Sequence, residues 1–108
     1  MTIISSQHYI NYDIVDAKEK AMAEAGIRSV LIPCHYAGEI DGEAYGVQAD
    51  GHHTLAAARR LGIEIIYEVI DHPEGVTGET LLDISYMNGD WYNVETSNPE
   101  NETYNLIW

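Results

Sequence analysis

The run from Val47 to Gly62 (VQADGHHTLAAARRLG) limits what this chain can fold into more than any other stretch. Ala44 to Ala49 ahead of it reads as a strand, and Ile63 to Ile70 (IEIIYEVI) behind it is an apolar, β-branched run of strand length. Between them Asp50 to Leu61 has helical character, with Gly62 as its C-terminal stop. A strand, a sharp glycine turn, a helix and a second strand in direct succession define an α/β unit. The second strand is expected to be buried on both faces, because its apolar residues do not alternate cleanly with polar ones.

The rest of the chain adds elements to that unit. Asp16-Ala-Lys-Glu19 has the spacing of a capping box, and Ala17, Ala21, Met22 and Ala25 follow at helical spacing before Gly26. This predicts a helix from about Asp16 to Ala25. Ile27 to His35 reads as a strand, and the turn pair Asp41-Gly42 suggests that it forms a hairpin, with a longish loop, with Ala44 to Ala49. Thr80 to Met87 fits either a short helix or an edge strand, and Asn88-Gly89-Asp90 marks a turn. Residues 91–108 are rich in Asn and Glu yet keep Trp91, Tyr92, Tyr104, Leu106, Ile107 and Trp108. They read as a docking tail whose aromatic ends seat on the domain or on a partner. The 108 residues form one domain, with no internal repeat.

Charge narrows the partners. Eighteen Asp and Glu against five Lys and Arg give a formal charge of −13. All five bases (Lys18, Lys20, Arg28, Arg59 and Arg60) precede residue 61, and residues 71–108 hold eight acids and no base. Nucleic-acid affinity depends on cations that displace counterions from phosphates, so direct DNA or RNA binding is not expected. An acidic surface either keeps a domain soluble or attracts a basic protein. No stretch approaches the roughly 18 to 20 apolar residues that span a bilayer. Met1 to Tyr12 has neither a basic start nor a long apolar run, so no signal peptide is read there. With a single cysteine, Cys34, the chain reads as cytoplasmic.

The candidate site is Asp50, Gly51, His52, His53 and Thr54. The first amides of a helix lack carbonyl partners within it, and the helix dipole puts partial positive charge at the same end. Gly51 permits the tight entry, so these amides point outward together where a phosphate satisfies them. Thr54 offers a hydroxyl, and His52 and His53 offer imidazoles that orient a phosphate or move a proton. Arg59 and Arg60 lie at the far end of the helix, about 10 to 15 Å away at 1.5 Å of rise per residue. They suit the negative end of the dipole better than a ligand.

This stretch, Asp50-Gly51-His52-His53-Thr54 followed by Leu55, Ala56 to Ala58 and Leu61-Gly62, resembles the nucleotide-binding motif of the ParB/sulfiredoxin superfamily. The resemblance covers about Ile27 to Ile70. It implies a small single-domain α/β fold, a mixed sheet with packed helices. It also implies that the turn binds the phosphates of ATP, ADP or CTP, usually with magnesium. Members commonly read Asp-Gly-His-His-Arg; here Thr54 stands at the arginine's place. Partition-type members continue into a DNA-binding domain for which this chain has neither the length nor the charge. Sulfiredoxins carry their catalytic cysteine where His52 lies, and Cys34 is in another segment, so sulfinic-acid reduction is not implied. Serine kinases of the superfamily use a carboxylate base near the N-terminus, where Asp13 and Asp16 are the candidates.

Two function classes therefore stand. One is nucleoside-phosphate binding, with nucleotide hydrolysis or phosphoryl transfer if the domain is an enzyme. The other is a catalytically inactive acidic decoy, of a phage or mobile-element anti-defence kind, that occupies a basic nucleic-acid-binding protein. No intrinsic metal site is expected, since His8, His35, His52, His53, His72 and Cys34 show no zinc-type spacing. Cys34 lies in an apolar run and reads as a buried structural thiol.

Overall fold

The computed structural model describes residues 1–71 and 90–107 of the chain. Among the described residues, five strands and two α-helices make a small α/β domain. The elements run β1 (Thr2–Ser5), α1 (Tyr12–Ala25), β2 (Ser29–Ile40), β3 (Glu43–Gln48), α2 (His52–Leu61), β4 (Glu64–Ile70) and β5 (Tyr92–Asn93), followed by a 3₁₀ turn at Pro99–Asn101. The sheet order is β4-β2-β3-β1-β5. It is mixed: β4 runs parallel to β2 and β1 parallel to β3, while β2–β3 and β1–β5 are antiparallel.

The β2–β3 hairpin closes tightly on Asp41 and Gly42, both with positive φ (51° and 82°), instead of through a long loop. Two left-handed residues suit the right-handed twist of the strands they join, which is why Asp-Gly is favoured there. The hairpin places the end of β3, and hence the start of α2, beside the middle of β2.

Leu55 of α2 enters the sheet-facing core with Ile3, Ile32, Cys34, Tyr92 and Val94. On another face of α2, Ala56 and Ala57 receive Val15 of α1, with Ile10 and Met22 packed around them. Small alanines let the two helices approach closely while Leu55 fills the space toward the strands.

Several expectations are corrected. Helix α1 begins at Tyr12, not near Asp16, because Asn11 caps it: its Oδ1 accepts from the N–H groups of Asp13 (3.0 Å) and Ile14 (3.3 Å). Asp16 and Glu19 are not a capping box; both carboxylates reach Arg60 on α2. Strand β4 is not buried on both faces. It lies at the sheet edge, and Ile66 (39%), Val69 (54%) and Ile70 (37%) keep substantial exposure. The short strand β1 carries no turn or periodicity signal of its own, yet its Ile3 and Ile4 are core residues. Residues 91–94 reach the interior, with Trp91, Tyr92 and Val94 buried and β5 paired to β1. The segment Thr80 to Met87 lies outside the described residues.

Candidate functional site

The turn into α2 is pinned from three sides. The Ala49 N–H donates to the Pro33 carbonyl (2.8 Å), holding the end of β3 on β2. The Gln48 side-chain amide donates to the Asp50 carbonyl (3.0 Å), and Asp50 Oδ1 accepts from the Gly51 N–H (2.7 Å). Gly51 then adopts φ 82° and ψ 20°, the left-handed region that glycine enters at no steric cost. A Cβ there would sit 3.2 Å from Ile32 Cδ1, so close packing against β2 adds to the backbone demand.

Leu55 N–H to the Gly51 carbonyl (2.8 Å) is the first bond of the helix. The amides of His52, His53 and Thr54 precede it and have no carbonyl within the helix to meet. Among the described residues no side chain caps this end, and the first turn carries no acid. Gly51 to Thr54 are half-buried, with Asp50 exposed beside them. The turn is therefore an uncapped helix tip with a neighbouring carboxylate.

Both histidines are engaged with the chain itself. His52 Nε2 lies 3.0 Å from Ser5 Oγ, which also accepts from the Gln7 N–H (3.1 Å). His53 Nε2 accepts from the backbone N–H of Asn11 (3.1 Å). That bond requires an unprotonated Nε2, so the neutral ring carries its hydrogen on Nδ1. The two imidazoles thus tie α2 to the end of β1 and to the start of α1. Burial pushes the His52 pKa below its ordinary value; the Asp50 charge works against that shift and the neighbouring His53 adds to it. His52 is therefore neutral at pH 7. Ser5 is only 3% exposed, so the Ser5–His52 pair fastens strand to helix and presents no nucleophile to solvent.

The arginines are also committed. The Arg59 guanidinium donates to the Val94 carbonyl. Arg60 meets Asp16 (2.6 Å), Glu19 (3.0 Å) and Glu100 (2.8 Å), which push its pKa still higher. Behind His52 lies a cavity of only about 10 Å³, bordered by Gln48, Leu55, Arg59 and Tyr92, room for no more than a water molecule. Among the described residues no group of three or more His, Cys, Asp or Glu is placed to hold a metal ion.

Cys34 is fully buried and its thiol pKa is pushed up to about 11, first by burial and then by Glu95. It lies in the sheet core, paired across the strands with Gln48, two residues before Asp50. Asp13 and Asp16 sit on α1, where Asp16 serves Arg60.

The structure brings together Asp50, Gly51, His52, His53 and Thr54 as one turn and adds Ser5 and Asn11, neither of which was among the expected site residues. Asn11 had a legible signal, a capping side chain directly ahead of the helix. Ser5 had none, because its meeting with His52 depends on β1 lying beside β3. The chain matches no protein-family model, no curated protein and no solved structure.

Proposed function

We propose that this chain is a nucleoside-phosphate-binding domain of the ParB/sulfiredoxin-like kind, with the phosphate seated at Gly51 to Thr54. One observation carries the reading: α2 opens on a left-handed glycine, and among the described residues no side chain caps its first turn. The amides of His52, His53 and Thr54 supply donors, the dipole supplies partial positive charge, and the Thr54 hydroxyl adds one more contact. The backbone fits a phosphate without help from an arginine. Magnesium arriving with the nucleotide reduces the repulsion between its phosphates and the Asp50 carboxylate. The histidines act by positioning: their Nε2 bonds to Ser5 and Asn11 fix the tip in place. Binding is better supported than turnover, since both Nε2 atoms are engaged and, of the carboxylate base candidates, Asp16 serves Arg60.

The test is thermal unfolding with Mg-ATP, Mg-ADP, Mg-CTP and inorganic phosphate. A ligand at ten times its Kd adds about 1.4 kcal/mol, which raises the Tm of a domain this size by about 5 °C. Thr54→Val should keep the Tm of the unliganded protein and reduce the shift. If no nucleotide moves the Tm at millimolar concentration, the reading fails.

A second reading is favoured by the charge distribution. Arg59 and Arg60 are consumed internally, and eighteen acids stand against five bases. On that reading the domain is a catalytically inactive acidic decoy that occupies a basic nucleic-acid-binding protein, as a phage or mobile-element product would. Such association weakens steeply with salt. A complex with a basic DNA-binding protein that persists unchanged in about 0.5 M salt would contradict a charge-driven decoy.

A further inference from the structure

A second concavity lies where the β1–α1 connection faces residues 99–104. It is an open cleft of about 440 Å³ bordered by His8, Tyr9, Tyr12, Pro99, Glu102 and Tyr104. We infer that this cleft receives an arginine side chain of a basic polypeptide.

The walls are held in place before any ligand arrives. The Tyr12 hydroxyl donates to the Glu100 carbonyl (2.6 Å), and the Tyr104 hydroxyl reaches the His8 carbonyl (3.5 Å), so each phenol spans the gap between the two segments. The Tyr104 ring lies 4.2 Å from the His8 ring and 5.0 Å from the Tyr92 ring, and Tyr92 is buried. The His8 imidazole is fixed in turn, 3.2 Å from the Asp90 carbonyl. Tyr9 and Tyr12 nonetheless remain 67% and 51% exposed. A small domain that leaves two aromatic rings open on a preformed cleft has a surface ready to stack.

The chemistry of the lining selects a cation. The exposed rings of Tyr9 and Tyr12 carry negative π density on their faces, and Glu102 brings a full negative charge. Glu102 is held at φ 57° and ψ 32°, with its N–H on the Pro99 carbonyl, a left-handed setting unusual for a residue with a side chain. No Lys or Arg borders the cleft, and the chain's charge of −13 draws cations toward it. A phosphate would be repelled by the same carboxylate. Guanidinium suits the lining better than ammonium, because its planar face stacks on phenol rings while its edge meets a carboxylate. The cleft shares no residue with the turn at 50–54, so the inference stands whether or not a phosphate binds there.

Calorimetric titration with a short Gly-Arg repeat peptide, and with the same peptide carrying citrulline for arginine, tests this on the intact chain. The expected result at low salt is binding of the arginine peptide, with the citrulline peptide at least about tenfold weaker. Tyr9→Leu and Glu102→Gln should each weaken arginine binding by about threefold to tenfold while leaving the Tm unchanged, since both side chains are exposed. Glu64→Gln on β4 removes the same charge elsewhere and should change affinity by less than about twofold. Three outcomes overturn the inference: no arginine binding, equal losses in Glu102→Gln and Glu64→Gln, or Tyr9-dependent binding of uncharged nucleosides in preference to the peptide.

Discussion

Helices α1 and α2 start side by side, joined by the bond from Asn11 to His53, yet their first turns are finished in opposite ways. At α1 the Asn11 side chain takes the amides of Asp13 and Ile14, and Asp13 adds a carboxylate where the dipole favours one. At α2 a left-handed glycine stands in the capping position with no side chain to offer, and the first turn contains no acid. An Asn, Ser or Asp in the entry position of α2 would have to adopt φ 82° with its Cβ 3.2 Å from Ile32 Cδ1, so the backbone itself demands the glycine. Among the described residues, one tip is completed by a side chain and the other is not.

Substitutions can break or sharpen this contrast. The largest effect belongs to Gly51→Val, which forces a β-branched residue to φ 82° and drives a Cβ toward Ile32. A loss of about 3 kcal/mol is expected, read by chemical denaturation, together with loss of any nucleotide-induced shift. A fully stable variant would mean that the left-handed entry is dispensable. Next comes Asn11→Ala, which removes the α1 cap and should cost about 1 kcal/mol. It should leave phosphate binding at α2 intact, because the Asn11 bond to His53 uses backbone N–H. If the variant instead abolished binding, the two tips would not be independent.

The smallest effect concerns pH. The folded protein holds the His52 pKa below its ordinary value of 6.5, chiefly by burial. On acidification the unfolded chain therefore takes up this proton first. Stability contributed by the neutral ring is present above about pH 6.5 and declines as pH falls toward the lowered folded value. Denaturant melts between pH 7.5 and pH 5 should show a shallower decline in His52→Gln than in the parent chain. An identical slope in both would place the acid sensitivity elsewhere.

The same contrast explains what the sequence made legible. The α2 entry is written in adjacent residues: Asp50-Gly51 for the turn, the alanines for close packing, Gly62 for the stop. Such local grammar survives folding because its causes are local. The start of α1 was displaced by a look-alike, since Asp16-Ala-Lys-Glu19 has capping-box spacing while its carboxylates serve Arg60 across the helix pair. Tertiary pairing decided what those two acids do. Strand β4 was read as doubly buried from its apolar run, but sheet order places it at an edge, and order is not encoded in one strand's composition. The α/β class follows from the alternation of elements, while the mixed sheet with packed helices was what the family resemblance implied. The partners of His52 and His53 do not, because Ser5 and Asn11 reach them only after strand and helix have assembled.

The lone thiol in the interior supplies an internal clock for all of these comparisons. Cys34 is sealed in the sheet and resists ionisation, so an alkylating reagent can reach it only when the chain opens. Its rate of modification under native conditions meters that opening directly. A solute that binds only the closed domain slows this clock as its occupancy rises.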